Sequence, residues 1–138
     1  MRVLLDTNII LDVLLEREPF VIASAAVLAR VERGDVAAVV GATTVTAIHC
    51  LATKTVGAAA AREAVAEMLG ILQVAAVNQS VIKAALESPL ADFEDAVLLE
   101  AARACGAQAI VTRNVRDFVA GDLPVYEPTE LLAILRSQ

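Results

Sequence analysis

The chain has no tryptophan, one tyrosine and three phenylalanines, so Phe20, Phe93, Phe118 and Tyr126 are its whole aromatic content. That scarcity argues against nucleic-acid recognition dominated by stacked bases. Only two cysteines occur, Cys50 and Cys105, far apart and in no C-x-x-C or Cys/His spacing. They read as two buried, reduced thiols rather than a disulfide framework or a zinc cluster. The single histidine, His49, lies inside a helical pattern, which leaves no Ser/His/Asp or Cys/His constellation. Neither G-x-x-x-x-G-K-S/T nor G-x-G-x-x-G is present, so no glycine-rich phosphate cradle is indicated. Basic residues are also in deficit: the formal net charge of −6 argues against a protein that coats nucleic acid nonspecifically. Mean hydropathy is high, at +0.68. Yet the longest uncharged stretch, Val36 to Thr53, carries Gly41, four threonines and His49, and it divides better into a strand and a helix than into a membrane span. Arg2 is followed by only three apolar residues before Asp6, too few for a signal peptide. A soluble, cytoplasmic protein with no membrane partner is the expectation.

Val, Leu, Ile and Ala dominate the 138 residues, of which 58% are hydrophobic, ample for the core of a single domain spanning 1–138. The apolar run Arg2–Leu5 reads as a strand. A helical pattern follows from Thr7 to about Leu15, and Pro19 opens a second helix, Phe20 to Arg33, closed by Gly34. Val36–Val40 is the natural second strand, and Thr43 or Thr44 caps the next helix, which reaches about Lys54. Gly57 separates it from an Ala-rich helix ending near Gly70. Ile71–Val74 reads as a third strand and Ser80–Leu86 as a short helix stopped before Pro89. Asp92 caps a helix running to Ala104, closed by Gly106. Gln108–Val111, Pro124–Tyr126 and Thr129–Arg136 complete the pattern as two strands and a helix. Strands alternating with helices predict an α/β fold, a mostly parallel sheet of about five short strands flanked by helices. The small-residue stretches Ala58–Ala66 and Val21–Ala29 read mostly as internal packing, with some apolar surface left for protein contacts.

Acids gather where such a sheet would present its carboxyl edge. Asp6 ends the first strand directly, and in open α/β sheets that end faces the ligand crevice. An aspartate there is also a good helix N-cap, and Thr7 and Asn8 suit local turns. Asp92 and Asp95 favour the positive end of a helix dipole, while their spacing of three places them on one side of the helix, positioned to share a cation. Glu94 points elsewhere and reads as solvated. After the fourth strand, Thr112-Arg113-Asn114-Val115-Arg116-Asp117-Phe118 offers Asn114 and Asp117 as oxygen ligands one helical turn apart, with Arg113 and Arg116 placed to meet a phosphate. Carboxylates gathered on one rim repel each other unless protonated or neutralised. A hard cation with oxygen ligands removes that conflict, polarises a phosphoryl oxygen and lowers the pKa of a bound water.

With these residues in view, the chain resembles the PIN domains, and within them the VapC-type toxin ribonucleases, over essentially its whole length. The carriers are Leu4-Leu5-Asp6-Thr7-Asn8, Asp92-Phe93-Glu94-Asp95-Ala96 and Ile110-Val111-Thr112-Arg113-Asn114-Val115-Arg116-Asp117-Phe118, in that order. The resemblance implies a Rossmann-like sheet and an acidic pocket for Mg²⁺ or Mn²⁺. It also implies endonucleolytic cleavage of RNA by metal-activated water, leaving a 5′-phosphate. Asp6 and Asp95 match its principal metal-binding aspartates, with Asp92 and Asp117 as further metal-site acids. Either Asn114 or Asp117 matches its last acidic station. Asn8, together with Thr112, matches the residues that orient the ligating carboxylate. One station departs. A Glu early in the helix after the second strand is the family's usual second acid, and Ala47 stands there, leaving Thr44 or Thr46 to hold a water and Asp92 to supply charge.

The leading expectation is therefore a metal-dependent ribonuclease with an RNA substrate, the toxin of a type II toxin–antitoxin pair. An antitoxin partner and a homodimer are implied by the resemblance. A second reading is a PIN-like module that has lost catalysis and binds RNA or protein. A phosphotransferase is a third, disfavoured because such enzymes often carry a second Asp where this chain has Asn8.

Overall fold

The computed structural model describes residues 1–138, and its centre is a sheet buried on both faces. Five strands, β1 (Arg2–Leu5), β2 (Ala37–Gly41), β3 (Gln73–Ala75), β4 (Ala109–Val111) and β5 (Val125–Tyr126), lie in the order β3-β2-β1-β4-β5. Every pairing is parallel. Side chains on a strand alternate between faces, and the central strands are apolar on both. Val3 and Leu5 of β1, Val40 of β2 and Val111 of β4 point into one core, which also holds Ile9, Val27, Ile48 and Leu131. Leu4, Val39 and Ile110 point into the other, with Val97, Leu99 and Phe118. Helices α1 (Thr7–Leu14), α2 (Val21–Glu32), α3 (Ala42–Val56), α4 (Ala58–Leu69) and α7 (Pro128–Arg136) contribute to the first core, and α5 (Gln79–Leu86) and α6 (Phe93–Ala104) to the second. This is the α/β architecture the alternating pattern predicts, with the sheet wholly rather than mostly parallel.

The topology fixes where a site can form. From β1 the chain proceeds outward to β2 and β3, then returns through α5 and α6 to place β4 on the other side of β1. Loops leaving β1 and β4 therefore diverge and open a crevice at the sheet's carboxyl edge. Asp6 follows β1, and Thr112 to Asn114 follow β4.

Several local expectations shift. Helix α3 is capped by Gly41, not by Thr43 or Thr44, because the strand runs one residue further than its β-branched run. A Cβ on Gly41 would stand 2.6 Å from Leu98 Cδ2, so a side chain there would require Leu98 to shift. Thr44 is freed for a buried role. Pro19 lies in a turn ahead of α2 rather than opening it, and the first helix stops at Leu14. The first two residues of the third strand as read, Ile71 and Leu72, precede it. Cys50 is exposed, since α3 buries the face carrying Thr44, Ile48 and Ala52; both thiols are unpaired. The Ala-rich helix is also more open than expected: Ala58, Ala59, Ala60 and Ala66 face solvent while Ala61 and Met68 alone are buried. No helix is long and apolar enough to cross a membrane.

Candidate metal centre

Asp6 is the anchor of the crevice, and the fold holds it on every side. It sits between β1 and α1 with extended φ and ψ, its backbone N–H donating to Val111 O at 2.9 Å and so tying it to β4. The side chain is a helix N-cap, as the capping reading holds: the Thr7 N–H donates to Oδ1 at 2.7 Å. The other oxygen, Oδ2, accepts from the Thr112 hydroxyl at 2.7 Å and from the Asn8 amide at 3.2 Å. Asn114 N–H in turn donates to Thr112 Oγ1 at 3.0 Å. Thr112 and Asn8 thus both hold Asp6 Oδ2. A carboxylate offers about four acceptor positions, and three are occupied here. The carboxylate is only 7% exposed.

Asp95 faces Asp6 from α6. Asp92 caps that helix by accepting the Asp95 backbone N–H at 3.0 Å, which fixes the first turn. Asp6, Asp95, Asn8 and Asn114 line one cleft of about 780 Å³, together with Thr46 and Ala47 from α3. A second cleft, of about 240 Å³, lies on the other side of Asp95 and is lined by Asp92, Arg116 and Asp117. Asp95 stands on the ridge shared by the two. The spacing of three does bring Asp92 and Asp95 to one side of α6. Asn114 and Asp117 separate: Asn114 enters the cleft that holds Asp6, and Asp117 enters the neighbouring one.

The electrostatics record an uncompensated cluster. Burial pushes the Asp6 carboxyl above its usual range, opposed by the Thr112 and Thr7 hydrogen bonds. Burial and then the charges of Asp6, Asp92, Asp117 and Glu94 push Asp95 up to about 7. No group of three or more Asp, Glu, His or Cys side chains is gathered closely enough to enclose an ion. The donor set is thus Asp6 and Asp95, with Glu94, which lines the same cleft instead of pointing elsewhere as expected, and a neutral amide oxygen nearby. That composition fits Mg²⁺ or Mn²⁺, which bind through one or two carboxylates and keep several waters, better than Ca²⁺, which takes six to eight oxygens. It does not fit zinc, for which nitrogen and sulfur ligands are absent.

Two arginines part company. Arg116 is exposed beside Asp117. Arg113 turns away: its Nε donates to Asp12 Oδ2 at 2.6 Å, its Nη2 to Asp12 Oδ1 at 3.2 Å, and its guanidinium lies 4.0 Å over the Phe20 ring. Both forks are committed to a carboxylate that is wholly buried on α1. Asp12 was missed by sequence reading, although a lone acid inside the apolar run Ile9 to Leu15 is a signal that a buried partner waits elsewhere. Thr44 is a second such residue. It is buried, and its hydroxyl pairs with that of Thr7 at 2.8 Å, joining the starts of α1 and α3 under the cleft. Thr46 lines the cleft, but its hydroxyl bonds back to Thr43 O. His49 is partly exposed and stands outside the cleft.

Comparison with known proteins gives one sequence family and a consistent set of folds. Among curated proteins none matches this sequence. Among solved structures, a toxin–antitoxin complex from Klebsiella pneumoniae contains a chain 23% identical, with a TM-score of 0.69, over 91% of this chain and 97% of that one. A VapBC2 complex from Rickettsia felis, bound to a promoter DNA fragment, is similar at 15% identity and a TM-score of 0.69, covering 92% and 98%. VapC20 from Mycobacterium tuberculosis, a toxin that cleaves the sarcin–ricin loop, is similar at 16% identity and a TM-score of 0.63, covering 78% and 86%. At these identities the likeness is one of fold. The PIN domain model matches residues 2–116, which span both carriers of the cleft, Asp6 and Asp95. The chain belongs to the PIN domain family.

Proposed function

We propose that this protein is a metal-dependent endoribonuclease, the toxin of a toxin–antitoxin pair, whose cation is held by Asp6 and Asp95. The observation that carries the reading is the Asp6–Asp95 pair itself. The two carboxylates share the crevice at the sheet's carboxyl edge, and their charge is balanced by no basic side chain in that cleft. A folded protein tolerates such a pair when a proton or a cation resolves it. Asp95 takes a proton in the absence of the ion and gives it up when the ion binds. Asp6 needs no reorganisation, because Thr7, Asn8 and Thr112 already hold both its oxygens. Asn114 supplies a neutral oxygen, and Asp92 and Asp117 extend the negative field around the ion. Arg116, exposed on the second cleft, is placed to meet the RNA phosphate. When bound, the cation supplies Lewis-acid polarisation of the phosphoryl oxygen and a more acidic water. The similar folds found in toxin–antitoxin complexes support an antitoxin partner and a toxin role.

One feature favours a second reading, a PIN domain that binds without cleaving. Ala47 lines the cleft at the station where the resemblance expects an acid, and a methyl binds neither ion nor water. A single assay separates the two. Purified protein incubated with RNA in Mn²⁺ is expected to cleave it, leaving 5′-phosphate ends, and EDTA to stop the reaction. RNA that stays intact with folded, Mn²⁺-supplied protein would establish the binding-module reading instead.

A further inference from the structure

Arg113 stands between two residues of the metal centre and is itself held mainly through its side chain. Thr112, before it, donates its hydroxyl to Asp6 Oδ2 at 2.7 Å. Asn114, after it, lines the cleft while its N–H donates to Thr112 Oγ1 at 3.0 Å. The Thr112 N–H is fixed to Tyr126 O at 3.0 Å, but Arg113 takes part in no backbone–backbone hydrogen bond. Its own N–H reaches only Asn8 Oδ1, at 3.5 Å. The guanidinium does the anchoring, with its fork on both oxygens of Asp12 and the Phe20 ring beneath it. Asp12 lies on α1, the helix that Asp6 caps. A closed circuit of contacts therefore runs from Asp6 along α1 to Asp12, across to Arg113, and back through Thr112 to Asp6. Stability is a weak reason for the buried part of that circuit, since apolar residues of similar volume often stabilise a core as well or better. A bidentate arginine–carboxylate contact supplies what apolar residues cannot, a fixed direction as well as a fixed distance.

We propose that the Asp12–Arg113 pair positions the metal centre, holding Thr112 and Asn114 in register with Asp6 so that the Asp6 carboxylate stays oriented toward its cation. Both are positioning residues, and neither lines the cleft that holds Asp6 and Asp95. The proposal rests on the reading of Asp6 as a cation ligand and adds the residues that keep Asp6 in place. Groups that orient metal ligands in this way contribute to affinity without touching the ion.

The test removes the pair without changing the net charge. In the full chain carrying Asp12→Leu and Arg113→Met, carboxylate and guanidinium leave together, so no unpaired charge stays buried. Urea unfolding is expected to stay near that of the unsubstituted protein, while Mn²⁺ affinity by calorimetry falls about tenfold or more. Amide exchange of the metal-free protein, followed by NMR, supplies a readout independent of the ion. The Asn114 N–H should exchange about tenfold or more faster as local opening becomes easier. The Val81 N–H, held by the Asn78 side chain at 3.0 Å, should keep its rate. Unchanged Mn²⁺ affinity in the folded double variant overturns the proposal, as does Asn114 exchange accelerated no more than that of Val81, which would mark general loosening. Should the double variant not fold, Arg113→Lys carries the test, because lysine keeps the charge but has no fork. Weaker Mn²⁺ binding and faster Asn114 exchange beside an unchanged Val81 are then expected, and the absence of either change overturns the proposal. An unsubstituted protein that binds no Mn²⁺ refutes the cation reading and the proposal with it, whereas normal Mn²⁺ binding with unaffected variants refutes the positioning alone.

Discussion

Cation binding at this site is expected to expel a proton from Asp95, in an amount set by pH. With its carboxyl pushed up to about 7, Asp95 in the metal-free protein carries a proton in about half the molecules at pH 7, about nine-tenths at pH 6 and about one-tenth at pH 8. A cation that requires the ionised carboxylate must displace that fraction. The apparent Mn²⁺ affinity should therefore weaken about tenfold between pH 8 and pH 6. Titration calorimetry in buffers of different ionisation enthalpy reads the proton count directly, and Asp95→Asn should abolish both the proton release and most of the binding. The same shift affects folding with the opposite sign from an ion-paired carboxylate. A folded-state value raised above 3.8 means that the folded chain holds the extra proton between about pH 4 and about pH 7. Stability of the metal-free protein should fall as pH rises through that window and level off above it, and Asp95→Asn should reduce the slope, leaving the contribution of Asp6, which is raised in the same direction. Saturating Mn²⁺ should offset the loss above pH 7. Proton release near zero at pH 6, or Mn²⁺ affinity independent of pH, would refute the electrostatic account of the cluster.

The remaining predictions concern charge placement. Arg113→Ala removes both side-chain hydrogen bonds of the wholly buried Asp12 carboxylate, leaving it only Arg17 at 4.0 Å, and should cost about 3 kcal/mol in urea unfolding; undiminished stability with weakened RNA binding would return Arg113 to the phosphate-binding role. Ala47→Glu adds a carboxylate to the cleft and should raise Mn²⁺ affinity by about tenfold or more, since carboxylate number tunes affinity for hard cations. Unchanged calorimetric affinity would show that position 47 does not reach the ion.

Residues whose roles are local were legible in the sequence, and residues whose roles depend on distant partners were not. Leu4-Leu5-Asp6 announces a buried strand ending on an acid, and Asp92 announces a cap, because each signal lies within a few neighbouring residues. The unbroken apolar runs of β1, β2 and β4 likewise predict a sheet covered on both faces. Arg113 misleads for the opposite reason: its partner Asp12 lies 101 residues away, and nothing in Thr112-Arg113-Asn114 distinguishes a phosphate ligand from half of a buried ion pair. Thr44 has the same history, since its hydroxyl meets Thr7 from another helix instead of capping its own. Gly41 could not be read as a cap because it has no side chain to accept a helix N–H and marks the position through its backbone alone. The choice between Asn114 and Asp117 stayed open in the sequence because both follow the same strand, and the short 3-10 turn at Val115–Asp117 is what sends them into different clefts.

The central claim is that Asp6 holds the cation on which RNA cleavage depends. Its most direct test is RNA cleavage in Mn²⁺ by folded, purified Asp6→Asn beside the unsubstituted protein. Asparagine keeps the size of the side chain and an oxygen to accept from Thr112 while removing the charge. Abolished cleavage with an unchanged circular dichroism spectrum is the result expected. Full activity in Asp6→Asn would contradict it.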